Sequence, residues 1–431
     1  MTGLFVGWKE TMDASRNAAA EWRSFWPLPL AAALGYSTSV IHVYSIGAYI
    51  GSLQQEFGWS RAQISAGITI ASFGSGIFCV PVGMLVDRLG PRRIGLVGVL
   101  LMCAAFALLS TATGRQANWL VLWGILAIGN LFVQTTVWTS AVASRFAASR
   151  GLAFAITLSG ASLAATIFPI LATWLIGSHG WRTAFAAMGG IWAALVLPML
   201  FLFFRGAQDE GRGERAAIPS AARELAGIAL SEGLRSPVLY KLLMAGGLFA
   251  FTLIGILVHF VPILKDSGAA PLAAAGTASL IGIFSIFGRL GTGLLLDRFP
   301  GHLVGAVAFL LPIIACVLLI LDGARPFAQA AAAAFVGLTV GSEVDVIAYL
   351  AAKHFGLKNF GSLYGALVMA LTLGTAFGPL AAGAVFDHYN SYVPFLLLTV
   401  ILMAASAIAL VSLGPPPPEA SQPTVSPASL P

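Results

Sequence analysis

Runs of apolar residues, each closed by a short polar stretch, recur along the whole chain. They fall near 27–50, 62–86, 93–112, 118–143, 151–177, 183–204, 238–263, 272–296, 302–321, 326–350, 361–385 and 392–413. Each is close to the roughly 20 residues that a helix rising about 1.5 Å per residue needs to cross a hydrocarbon layer. The pattern predicts an all-α membrane protein with twelve transmembrane helices.

Polar residues divide this chain. Residues 1–26 form a cytoplasmic N-terminal segment and 27–204 a first six-helix half. Residues 205–237, rich in Arg, Glu, Gly and Ser, form a cytoplasmic central loop, and 238–413 a second six-helix half. The central loop holds an amphipathic stretch at 221–236 that suits a membrane surface. The tail 414–431 is Pro-rich and short of apolar residues, a composition that favours disorder. The halves repeat each other. Gly83-Met84-Leu85-Val86-Asp87-Arg88 returns as Gly293-Leu294-Leu295-Leu296-Asp297-Arg298, and Pro169 and Phe185 return as Pro379 and Phe395, always 210 positions later. An even number of spans separates the copies, so both halves insert in the same sense. Two parallel halves around an axis along the membrane normal form a transporter plan, with the ligand near mid-depth.

Composition narrows the choice further. Charged residues are 9% of the 431 and apolar ones 58%, against about a quarter charged in soluble domains. The net charge of +6 does not call for nucleic acid, because its distribution has another reading. With the N-terminus in the cytoplasm, 17 basic residues lie inside and five outside: Arg61, Arg115, Arg182, Lys265 and Arg325. That excess orients a multi-pass inner-membrane protein with both termini cytoplasmic. Residues 1–24 carry no cleavable leader pattern, so the first span is expected to act as the targeting signal. Cys79, Cys103 and Cys316 sit singly in apolar runs and read as small core residues. No HExxH, GxSxG or Walker pattern occurs, so neither an enzyme nor a metal or cofactor site is expected.

Chemistry concentrates in a few intramembrane polar residues. Arg289 lies eight residues before Asp297, about 12 Å inside the end of its span. A guanidinium at that depth requires an anion. Its planar fork suits a carboxylate, supplied by a ligand or by an acid on another helix. Ser285 lies one turn earlier on the same face. Glu343 and Asp345 follow in a later span, about 200° apart around their helix, so only one can face the same way as the ligand. Either can carry a proton, pair with Arg289, or gate the cytoplasmic side with Arg298 or Arg145. His259 and His42 can both hydrogen-bond a ligand and carry a proton, or can pack between helices. Tyr36, Tyr44, Tyr49, Gln134, Thr135 and Trp138 line a cavity or pack.

Residues 83–93, GMLVDRLGPRR, resemble the G-x-L-x-D-R-x-G-x-R-R signature of the major facilitator superfamily, and 293–301, GLLLDRFPG, its weaker second copy. The resemblance covers the whole chain and implies the major facilitator fold, alternating access, and a gating role for Asp87, Arg88, Asp297 and Arg298. The Ser285–Arg289 pair and residues 145–162, RFAASRGLAFAITLSGAS, resemble the monocarboxylate and oxalate–formate branch. There, a helix 8 Arg binds the substrate carboxylate. Two departures stand out: the acid that the animal relatives carry one turn before that Arg is Ser285 here, and their acidic-Gly-aromatic motif in helix 1 is absent. The helix 11 Lys of oxalate-type relatives is also missing, which favours a monocarboxylate. Resemblance to bacterial lactate transporters makes His259 a substrate contact. The expectation is a monomeric secondary transporter of a small organic anion, coupled to a proton. The alternative is an antiporter or exporter of another amphipathic or drug-like acid.

Overall fold

The computed structural model describes residues 18–209, 228–356 and 359–416, and within them every side chain except those at 75–80, 83, 87, 208, 344, 360 and 361. The described residues are helical with no strand. The first six segments are built from α1 (Pro27–Ser39), α2 (Ile41–Phe57), α3 (Arg61–Leu89), α4 (Pro91–Leu108), α5 (Gln116–Leu131), α6 (Thr135–Ala143), α7 (Arg150–Leu158) and α8 (Gly160–Phe203). After a short α9 (Leu230–Arg235) come α10 (Pro237–Asp266), α11 (Pro271–Leu296), α12 (Gly301–Asp322), α13 (Pro326–Phe355), α14 (Phe360–Tyr389) and α15 (Val393–Val411).

Nine of the described helical stretches are long and apolar enough to cross a membrane, one of them running from Arg150 to Phe203 with a single turn residue at Ser159. That 54-residue run would stretch about 80 Å, against a hydrocarbon layer of about 30 Å. It turns at Gly180, whose φ of 76° and ψ of 162° leave the helical region, a conformation open to a residue without Cβ. The run therefore counts as two spans. The first span is itself broken, α1 and α2 meeting at Val40 with φ −112°. With α3, these complete twelve.

The helices cluster into two compact units. In the first, α8 is the organiser, packing on α4, α1 and α2. Small residues permit the contact: a Cβ on Gly160 would strike the carbonyl of Ala33, and one on Gly189 the carbonyl of Cys103. In the second unit, α11 packs on α13, α10 on α14, and α12 on α13 and α15. Its division from the first does not follow the expected boundary at 204–238 alone, because Trp59–Thr69, the start of α3, clusters with the second unit. Cys103 and Cys316 are buried and unbridged; the side chains of Cys79 and Asp87 lie outside the described residues, as do 1–17, most of the central loop at 210–227, and 417–431 of the tail.

Candidate substrate site

Arg289 is placed by a close helix pairing in the second unit. Where α11 crosses α13, Gly288 leaves no room for a Cβ beneath the Leu338 carbonyl, Gly337 none beneath that of Ile281, and Gly341 none beneath that of Ser285. The backbones therefore touch. One turn beyond the Ser285–Gly341 contact on both helices come Arg289 and Asp345. Arg289 Nη1 stands 3.7 Å from Asp345 Oδ1, with side chains 13% and 32% exposed. That is an ion-pair separation beyond the 2.7–3.2 Å of an N–H···O hydrogen bond. Arg289 Nε is buried with no hydrogen-bond partner. The guanidinium is thus neutralised at a distance while its fork is not filled. The Arg289 charge also acts on Glu343, but among described residues Asp345 is the carboxylate within ion-pair distance.

Ser285 is 1% exposed, and its hydroxyl donates to the Gly282 carbonyl at 2.7 Å. Thr292, nearer the α11 C-terminus, donates to Ser342 Oγ of α13 at 2.6 Å, a second tie beside the pair. Asp297 and Arg298 are exposed at the end of α11, and Arg88 is exposed at the end of α3. In the first unit, Arg145 lies 4.9 Å over the Phe25 ring.

His259 has a different set of partners. It is fully buried, with Nδ1 2.7 Å from the Tyr392 hydroxyl and Nε2 3.0 Å from the Pro379 carbonyl and 3.1 Å from Ser65 Oγ. Both ring nitrogens are held by the chain in this conformation. The first-unit candidates differ among themselves. His42 is 4% exposed and edge-on to Trp123 at 5.8 Å, with Nδ1 lacking a partner. Tyr36 and Gln134 are half-buried, and Gln134 donates to the Asn130 carbonyl where α5 gives way to α6. Tyr49 and Trp138 are packing residues. Tyr49 stacks on Phe185 at 3.7 Å, and Trp138 lies where a Cβ on Gly35 would be.

Two features escaped sequence reasoning. One is the ion pair of Arg61 with Asp266, whose Nη1–Oδ2 distance is 2.7 Å; the residues are 205 positions apart, and nothing local marks them as partners. The other is Glu21, whose carboxylate accepts from the backbone N–H groups of Ala147, Ala148 and Ser149 and from the Ser149 hydroxyl, at 2.9–3.1 Å. It satisfies amides just before α7, which have no helical acceptor of their own. A groove of about 470 Å³ opens beside the α11–α13 contact, lined by Gly288, Thr292, Leu338 and Ser342 and, farther out, by Phe287 and Val307. Its exposed rim is apolar, as a surface against lipid should be.

A bundle of apolar helices holding an arginine and two carboxylates at membrane depth defines a polytopic membrane transporter. The chain belongs to the Major Facilitator Superfamily, whose family model matches residues 32–324 and 323–430. It is 27% identical over 354 residues to monocarboxylate transporter 13 of Rattus norvegicus, covering 80% of this chain and 77% of that protein. A gallate transporter of Pseudomonas putida is 25% identical over 381 residues, covering 77% and 82%. In fold, the crystal structure of a D-xylose–proton symporter matches with a TM-score of 0.70 at 16% identity, covering 89% of this chain and 97% of that one.

Proposed function

We propose that this transporter carries a small monocarboxylate, with one proton, by alternating access across the inner membrane, as a monomer with both termini cytoplasmic. The observation that carries the reading is the unfilled fork of Arg289, held 3.7 Å from Asp345. A carboxylate approaching Arg289 gains two parallel charge-assisted hydrogen bonds that Asp345 does not make. Asp345 is then left without its counter-charge in a low-dielectric site, where an unpaired carboxylate is costly. Taking up a proton removes that cost. The loaded site then holds one cation, one anion and one neutral acid, the same net charge as the empty site. Ser285 adds a polar contact one turn away. In this proposal the proton-carrying acid is on α13, whereas the resemblance to the animal relatives would put it at the position of Ser285. Similarity to a monocarboxylate transporter and a gallate transporter supports an organic acid as the substrate class.

Tyr36, His42 and Gln134 are also proposed as substrate contacts. Asp87, Arg88, Asp297 and Arg298 are assigned to gating, with Glu343 available for gating or proton transfer. His259 is given a different role below.

The test is uptake of labelled monocarboxylates into proteoliposomes. Arg289→Ala is expected to abolish uptake while the protein still inserts and folds, and to abolish the thermal stabilisation that small organic acids give the parent protein. Undiminished uptake by that variant would remove Arg289 from the binding site.

A further inference from the structure

A second cluster of charged and titratable groups lies at the start of α3, far along the chain from Arg289. Arg61 donates to both oxygens of Asp266 on α10, at 2.7 and 3.1 Å, and from Nη1 to the Tyr392 hydroxyl at 2.8 Å. Its guanidinium carbon lies 3.5 Å from the centre of the Phe386 ring. Asp387, at the end of α14, accepts from the backbone N–H groups of Arg61 and Ala62, each at 2.8 Å. These amides open α3, so the carboxylate satisfies donors that have no partner within the helix. Gly383 completes the contact, since a Cβ there would press on the Ala62 amide. Residues 59–69 are thereby clasped to the second unit.

His259 sits beneath this clasp, and its partners dictate where its proton resides. The Pro379 carbonyl can only accept, so the Nε2 atom 3.0 Å away carries hydrogen. Arg61 can only donate, so the Tyr392 oxygen accepts from it; with hydrogen on Nε2 of a neutral ring, the Tyr392 hydroxyl donates to His259 Nδ1 at 2.7 Å. The neutral ring with Nδ1 bare is the form that gives every one of these groups a matched partner. The chain of donors runs Arg61 to Tyr392 to His259 to Pro379 without a gap. A proton added at Nδ1 would confront the Tyr392 proton and place a second positive charge beside Arg61. Asp266 and Asp387 are the anions facing this region, and both are already engaged, by the Arg61 guanidinium and by the α3 amides.

We propose that His259 is a proton-sensitive pin: neutral, it locks the start of α3 onto the second unit, and protonated, it releases it. The physical basis is linkage. The clasped form accommodates only the neutral ring, whereas a released, hydrated imidazole titrates near its ordinary value of about 6.5. Acid therefore favours release, by up to about tenfold per pH unit below that value for a single proton. The proposal does not depend on the identity of the substrate.

Paired spin labels on the reconstituted full-length protein test it, at Gln63→Cys and Tyr389→Cys, both exposed positions, with Cys79, Cys103 and Cys316 replaced. One narrow distance is expected at pH 8, and a second, longer population at pH 5. His259→Gln should keep the narrow distance at both pH values, because its amide can donate to Pro379 and accept from Tyr392 but cannot titrate. Tyr392→Phe, which cuts the link between Arg61 and His259, should broaden the distribution already at pH 8. A parent protein whose distances are the same at both pH values would overturn the proposal. So would a His259→Gln variant that responds to acid as the parent does, since a carboxylate would then be the sensor.

Discussion

Arg289 and Asp345 face each other at 3.7 Å, close enough to neutralise and too far to hydrogen-bond. An ion pair built for stability would close to about 2.8 Å. The separation leaves room for a third party, and the consequences can be measured.

Asp345→Asn separates binding from coupling. With its charge removed, Arg289 has no resident competitor, so organic-acid binding should persist or tighten in a thermal-shift titration. Uptake driven by an inward proton gradient should fall at least tenfold, while exchange of substrate across a membrane without a gradient survives. Loss of exchange and of driven uptake together would make Asp345 a binding residue instead.

Charge balance at the site gives a second expectation. One carboxylate and one proton move together without net charge, so uptake should follow the pH gradient and be indifferent to a membrane potential set by potassium and valinomycin. A potential-dependent rate would exclude the one-proton scheme. Accumulation driven by an outward proton gradient would indicate antiport.

Gly341 should not tolerate a side chain. A Cβ there meets the Ser285 carbonyl and lies 2.6 Å from the Arg289 amide, so Gly341→Ala must push α11 and α13 apart. Overpacking of this kind costs about 1–3 kcal/mol, and the shift moves Arg289 relative to Asp345. A lowered melting temperature in detergent, together with an uptake loss greater than that caused by Ser342→Ala, is expected.

Ser342→Ala removes the acceptor of the 2.6 Å hydrogen bond from Thr292. Hydrogen bonds between membrane helices contribute about 0.6 kcal/mol on average. The expected effect is a small fall in thermal stability with uptake nearly intact.

Glu21 provides a pH dependence whose sign is settled by geometry. Burial pushes its carboxyl up, but the amides of Ala148, Ala147 and Ser149 and the Ser149 hydroxyl outweigh this and hold it below its ordinary value. A carboxylate depressed in the folded state stabilises above its unfolded value of about 4.3 and loses that effect as pH falls through the lower folded value. Glu21→Gln should therefore lower the melting temperature at pH 7, and the difference from the parent should shrink as the pH falls below about 4. A difference that stays constant with pH would mean the amide contacts do not depend on the charge.

Much of the architecture can be read from the chain alone, because the bilayer imposes a simple rule. Backbone groups within lipid must be satisfied inside their own helix, so each span declares itself by length and apolar content. The segments 151–177 and 183–204 are separable because the short polar stretch SHGWR at 178–182 closes the first of them. The repeat of Gly83–Arg88 as Gly293–Arg298 likewise points to paired halves. Arg289 was legible for the same reason: a cation is conspicuous where nearly everything else is apolar.

Partnership was not legible. Arg289 had two carboxylates to choose from, 54 and 56 positions away, and the choice of Asp345 over Glu343 rests on glycines that let α11 and α13 touch at a particular register. His259 suggested a ligand contact, yet its neighbours Ser65, Pro379 and Tyr392 come from three distant stretches and occupy both ring nitrogens. The assignment of residues 59–69 to the second unit follows from Asp266 and Asp387 meeting Arg61, a match of charges that no local pattern encodes. Periodicity and hydropathy are properties of neighbours in sequence and so determine which segments cross the membrane. Hydrogen bonds and ion pairs act over about 3–4 Å between residues hundreds of positions apart, and only the packed helices decide which of them form.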